Sequence, residues 1–132
     1  MKIFISTGEV SGDLQGALLV AALKRHAVAA GFELEITALG GRLMAEAGAT
    51  ILGDTVSIGS MGIIESVPYI WPTIKVQQKA KQYLRKFRPD AVVLIDYLTP
   101  NLGIGSYIRR CLPGLPVVWY IAPQEWVCSI SP

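Results

Sequence analysis

Cysteine, histidine and net charge are all scarce in this sequence, and each scarcity closes off a class of function. Two cysteines, Cys111 and Cys128, and one histidine, His26, are too few for a zinc site, a disulfide framework or a paired-histidine mechanism. Cys111 runs into Leu112 and Pro113 with no second ligand nearby, and this usage fits a reducing cytoplasm. Lys and Arg number 12 against 10 Asp and Glu, so the strongly basic face of a nucleic-acid binder is missing and no nucleic-acid partner is expected. Long hydrophobic runs are also lacking. The richest, Leu14 to Leu23, is broken by Gln15 and falls short of the roughly 18 residues a membrane span needs, which limits any membrane contact to the periphery. The opening Met1-Lys2-Ile3-Phe4-Ile5 gives way to Ser6-Thr7-Gly8 too soon for a secretory signal, so export is not expected.

What the sequence does have is apolar content: 52% of its 132 residues are hydrophobic, enough for one core and one domain spanning 1–132. Ile3 to Ser6 predicts a strand that meets Gly8 and Gly12, after which Asp13 caps a helix over 14–29. That helix is apolar almost all round, which predicts burial against a sheet. A strand over 34–39 ends at Gly40-Gly41 and feeds a short helix over 42–47, and a brief strand covers 50–52. The Gly-rich stretch from Ile58 to Glu65 has no readable local structure. From Thr73, Val76, Ala80, Tyr83, Leu84 and Phe87 fall at helical spacing up to Pro89. A strand over 91–95, a helix over 104–112 and a strand over 117–121 follow. Short, continuously apolar strands alternating with helices predict an α/β fold, a doubly wound parallel sheet covered on both faces. Ligands in such sheets lie beyond the carboxyl ends of the strands, where strand order reverses.

Four places at those ends carry polar residues. The turn Gly8-Glu9-Val10-Ser11-Gly12-Asp13 has the position of a phosphate-binding turn. It lacks the Lys-Ser/Thr of a P-loop and the G-x-G-x-x-G fingerprint, and its two carboxylates would repel a pyrophosphate. No nucleotide cofactor is expected there, and a tight structural turn capped by Asp13 is an equal alternative. Asp96 ends a wholly apolar strand, where a carboxylate is costly unless it faces the crevice or finds a partner. It is either a general base for a substrate hydroxyl or a buried carboxylate that shapes the next loop. Asn101, at the start of the following helix, is either an N-cap or a hydrogen-bonding partner in the site. His26, beside Lys24 and Arg25, reads as a solvated helix-end residue, and Ser11 lacks the G-x-S-x-G setting of a serine hydrolase. The stretch Val67-Pro68-Tyr69-Ile70-Trp71-Pro72 precedes a helix with Lys75, Lys79 and Lys86 along one side. That combination suits a membrane surface, although a solvated basic face is the commoner explanation.

Taken in order, Gly8-Glu9-Val10-Ser11-Gly12-Asp13, Gly40-Gly41, Met61-Gly62-Ile63 with Glu65, Pro89-Asp90 leading to Ile95-Asp96 with Asn101, and Tyr120-Ile121-Ala122-Pro123-Gln124 with Trp126 resemble the lipid-A-disaccharide synthase family. The resemblance covers essentially the whole chain. It implies the amino-terminal, acceptor-side half of a two-domain GT-B-type glycosyltransferase, with the nucleotide-sugar half absent. It also implies a cytoplasmic enzyme held peripherally at the inner face of the membrane. The reaction it implies passes a diacylated glucosamine from UDP-diacylglucosamine to the 6-hydroxyl of diacylglucosamine 1-phosphate, with inversion, and calls for neither cofactor nor metal. Asp96 matches the position proposed for the family's general base, and the implied substrate contacts are Gly8, Glu9, Ser11, Gly12, Asp13, Asn101 and Gln124. Thr99 stands where some relatives carry a second aspartate, and Cys128 where tryptophan is frequent. On this resemblance the 132 residues alone are expected to be inactive. A rival from another class is a non-catalytic Rossmann-like module that binds an acylated sugar or a partner subunit. An NAD-dependent oxidoreductase domain is disfavoured by the missing fingerprint.

Overall fold

The computed structural model of the chain describes residues 1–57 and 66–121. Five strands, β1 (Lys2–Ser6), β2 (Glu35–Gly40), β3 (Thr50–Asp54), β4 (Ala91–Ile95) and β5 (Val117–Ile121), form one sheet in the order β3-β2-β1-β4-β5. Every neighbouring pair is parallel. Four longer helical elements alternate with them: α1 (Val10–Ala30), α2 (Arg42–Ala47), α3 (Ser66–Phe87) and α4 (Leu98–Cys111).

The lack of polar alternation in β1 and β4 has a simple cause, because both faces of these central strands are covered. Ile3 and Ile5 of β1 and Ile95 of β4 join Val20 of α1 and Met44 of α2 in one core. Phe4 of β1 and Val92 and Leu94 of β4 join Ala80 and Leu84 of α3 and Ile104 and Ile108 of α4 in the other. Successive side chains of a strand point to opposite faces, so a strand sandwiched between helices must be apolar at every position. The doubly wound α/β arrangement inferred from the sequence is the one observed.

Boundaries and burial differ in instructive ways. α1 begins at Val10 with Glu9 at its N-cap and no side-chain cap, so Asp13 lies inside the first turn and does not cap this helix. Nor is α1 buried all round: Val10, Leu14 and Leu18 are exposed while Gly12, Asp13, Gly16 and Val20 are buried. Uniform apolarity hid which side faces the sheet. α3 starts earlier than its periodicity indicated and continues through Pro72, and α4 begins at Leu98, ahead of the expected 104. β5 is the sheet's edge, and its Val117, Val118, Trp119 and Tyr120 are all exposed.

The chain runs outward from β1 through β2 to β3, then returns across the sheet to β4 and β5. Strand order therefore reverses between β1 and β4. The helices leaving these two strands pack on opposite faces, which opens a crevice at the carboxyl ends of β1 and β4.

Leu84 lies in the core between α3 and the sheet, whereas Leu18 sits on the open side of α1. Leu84→Ala should cost about 2–5 kcal/mol through lost burial and a residual cavity, and Leu18→Ala within about 0.5 kcal/mol. Urea denaturation of the two variants checks this, and equal losses would contradict the packing described.

Candidate functional site

The crevice is built by the residues that leave β1 and β4. Ser6 ends β1, and Thr7 and Gly8 follow it, all three of them buried. Ile95 ends β4, and Asp96 and Tyr97 then adopt φ values of 46° and 56°, consecutive left-handed residues without a glycine between them. Each such residue costs roughly 1–2 kcal/mol relative to a right-handed or extended conformation, so the turn needs support from its surroundings. One support is the backbone: Asp96 N–H donates to the Ile121 carbonyl at 2.8 Å and Asn101 N–H to the Tyr97 carbonyl at 3.1 Å. Another is Tyr97 itself, 8% exposed, whose ring lies so close to Gly8 that a Cβ on Gly8 would collide with it. Gly8 is therefore required by close approach of the tyrosine ring across the crevice floor.

Asn101 supplies the third support. It is fully buried, and its Nδ2 faces the carbonyls of Asp96 at 2.7 Å, Ser6 at 3.1 Å and Ile95 at 3.3 Å. Its Oδ1 accepts the Ser6 hydroxyl at 2.7 Å. The residue lies within the first turn of α4, where Tyr97 holds the N-cap position, so the N-cap reading of Asn101 is corrected. Its side chain serves backbone carbonyls on both sides of the switch point.

Asp13 is likewise directed inward. It is 4% exposed, and its carboxylate accepts the N–H groups of Gly41 at 3.0 Å, Leu43 at 3.1 Å and Met44 at 3.1 Å. These are the orphan donors at the start of α2, whose own N-cap, Gly41, has no side chain to offer. The residue expected to cap α1 caps α2 instead. A Cβ on Gly41 would lie 2.7 Å from Asp13 Oδ2, so the Gly40-Gly41 pair is fitted to the carboxylate. Two motifs 28 residues apart are one structural unit.

With Asp13 and Asn101 engaged internally, the polar side chains of the expected site that remain accessible among the described residues are Glu9 and Ser11, both exposed, and Asp96, which is half-buried. Among the described residues no N–H or hydroxyl bonds the Asp96 carboxylate. Gly12 is buried directly over the Thr7 side chain, and the Thr7 carbonyl accepts the Thr55 hydroxyl just beyond β3. Gln124, Trp126, Met61-Gly62-Ile63 and Glu65 lie outside the described residues. Sequence reasoning passed over Ser6, Thr7 and Tyr97. A polar residue closing the apolar run of β1, and an aromatic directly after Asp96, were the available signals. His26 and Cys111 are exposed and remote from this crevice in the chain fold. Two open grooves of about 670 and 560 Å³ lie elsewhere, at the amino ends of β1 and β2 and between α4 and β5. Neither is lined by a residue of the expected site.

Fold and crevice together define a Rossmann-like domain whose polar residues gather at the topological switch point. Comparison with known proteins makes this specific: the family model for lipid-A-disaccharide synthetase matches residues 3–131, and the chain belongs to that family. The lipid-A-disaccharide synthase of Gloeothece citriformis is 58% identical over 131 residues, covering 99% of this chain and 34% of that protein. The synthase of Synechocystis sp. is 55% identical over 129 residues, covering 98% and 33%. Lipid-A-disaccharide synthase 1 of Legionella pneumophila (strain Lens) is 35% identical over 125 residues, covering 95% and 31%. The chain thus spans about a third of the length of the curated relatives it matches. Among solved structures, the glycosyltransferase SnogD from Streptomyces nogalater is similar at a TM-score of 0.44 and 25% identity over 72% of this chain and 29% of that one.

Removing the Asp13 carboxylate would strand three donors, two of them buried and the Leu43 N–H partly so. Asp13→Ala should destabilise the chain by about 2–4 kcal/mol, and Asp13→Asn, which keeps one acceptor oxygen, by less. Chemical denaturation reads the difference, and a loss under about 1 kcal/mol for the alanine variant would show that the α2 donors find other partners.

Proposed function

We propose that this chain forms the acceptor-side half of a GT-B-type glycosyltransferase, and that the complete enzyme joins two acylated glucosamine units. In this reading the donor is UDP-diacylglucosamine and the acceptor is the 6-hydroxyl of diacylglucosamine 1-phosphate. The transfer inverts the anomeric carbon. The observation that carries the reading is Asp96: a half-buried carboxylate at the switch point, unpartnered among the described residues, whose backbone carbonyl accepts from the buried Asn101 amide.

Inversion is a single in-line displacement. The acceptor oxygen attacks the anomeric carbon as its proton leaves, and the bond to UDP breaks on the opposite side. Asp96 takes that proton. Glu9 and Ser11 form the wall against which the acceptor rests, while the buried Gly8, Gly12, Asp13 and Asn101 build that wall from within. Stabilising the departing UDP falls to residues beyond this segment, so the 132 residues alone are expected not to turn over. Lys75, Lys79 and Lys86 are exposed along α3, and among the described residues no helix is long and apolar enough to cross a membrane. Peripheral contact with the inner face of the cytoplasmic membrane, through these cations and anionic headgroups, completes the proposal.

A chimera in which this chain replaces the matching residues of the Gloeothece citriformis synthase should make disaccharide from the two acylated substrates. Asp96→Asn should lower its kcat by about 10²–10⁴-fold, the range for loss of a general base, with the variant still folded by circular dichroism. An inactive unaltered chimera would sink the acceptor-half reading. Undiminished turnover in Asp96→Asn would remove Asp96 from the base role.

A further inference from the structure

Asn101 combines complete burial with a side chain bonded to both strands that flank the switch point. Its orientation follows from chemistry. Backbone carbonyls only accept, so the end of the amide facing the carbonyls of Ser6, Ile95 and Asp96 must be the donor nitrogen. The Ser6 hydroxyl then donates to Oδ1 and pins the amide from β1.

The turn this amide touches is the one that departs from strand geometry. Ile95 faces the core shared with α1 and α2, so an extended continuation would send the next side chain toward the α3 and α4 layer. The left-handed pair at Asp96 and Tyr97 diverts the chain at that point. Of the carbonyls of Ile95 and Asp96, which flank the diversion, the latter receives the shortest of the three contacts, 2.7 Å. Asp96 itself is left half-buried.

We propose that Asn101 is a positioning residue for Asp96: by donating to the Ile95 and Asp96 carbonyls while anchored to Ser6, it holds the left-handed turn that sets the Asp96 carboxylate at the crevice. The role in transfer rests on the reading of Asp96 as the base. The role in holding the turn does not. Aspartate at position 101 has the same shape but no N–H donors, and it would set a carboxylate against three carbonyl oxygens. Asn101→Asp therefore removes the donation without changing the volume of the side chain. Ser6→Ala leaves the amide in place and removes only its anchor.

The test has two arms. In the 132-residue chain, backbone NMR couplings report the sign of φ at Asp96 and Tyr97. Positive values are expected in the wild type and their loss in Asn101→Asp, and positive values retained in the variant would overturn the proposal. In the chimeric synthase, a 1 Å displacement of a reacting group costs on the order of 100-fold in rate. Asn101→Asp should therefore lower kcat about 100-fold and Ser6→Ala about tenfold, with KM for both substrates within about threefold. A fall in thermal stability with kcat unchanged would mean a merely structural role and would overturn the positioning claim. Should Asn101→Asp fail to fold, Ser6→Ala decides: unchanged kcat there overturns the proposal and a tenfold fall supports it. If Asp96→Asn leaves transfer intact, the base reading fails on its own, while the couplings still decide whether Asn101 holds the turn.

Discussion

The carboxylate of Asp13, received by three backbone N–H groups at the head of α2, is the interaction on which the rest of this rim depends. A short helix has as many orphan donors as a long one and fewer internal bonds to offset them. α2 spans only Arg42–Ala47, and a glycine at its N-cap contributes no acceptor. The acceptor comes from another helix, 28 residues earlier in the chain. Because the carboxylate must reach between β2 and α2, α1 is held in place over the sheet, and the turn from Gly8 to Gly12 is held with it. On the far side of the switch point Asn101 does the converse: it supplies donors to the carbonyls of Ile95 and Asp96, where the strand gives way to the left-handed turn. A carboxylate serving donors and an amide serving acceptors brace the two walls of one crevice.

This division explains how much of the fold was legible beforehand. Central strands covered on both faces are apolar at consecutive positions, and β4 was accordingly readable to the residue; β5 was too, although it is an exposed edge strand whose apolar run is not explained by burial on both faces. Helices were harder. α1 has so little contrast around its circumference that its buried side is set by Gly12, Asp13 and Gly16 fitting against neighbouring elements, and small or charged residues give a hydrophobic pattern no weight. The early starts of α3 and α4 have a related origin: their opening turns, with prolines at 68, 72 and 100, carry none of the spacing by which helices are recognised.

The site was legible in position more than in role. Polar residues at the ends of apolar strands in a doubly wound sheet mark the crevice wherever they occur, and Asp96, Asn101 and the Gly8 to Asp13 turn were found on that ground. Separating residues that face a ligand from residues that hold the walls requires knowing which backbone groups lack partners. That depends on contacts between Asp13 and Gly41, or Ser6 and Asn101, that no local pattern reports. Tyr97 went unseen for a related reason. A bulky aromatic is a poor sequence signal for a left-handed turn, and its place is intelligible only once Gly8, lacking a side chain, is found beneath its ring.

A general base must remain free to accept a proton, and the surest way to keep a carboxylate free in a crevice rich in N–H groups is to satisfy those groups first. The α2 donors are met by Asp13 and the Ser6 hydroxyl by Asn101. Asp96 N–H goes to the Ile121 carbonyl of the neighbouring strand. Each of these donors, if unmet, would have to find another acceptor. Hydrogen bonds to a carboxylate stabilise its charged form and weaken it as a base. On the proposed reading, then, the inward-facing polar residues prepare the rim for proton transfer: their own groups are met internally, and among the described residues the Asp96 carboxylate has no hydrogen-bond partner.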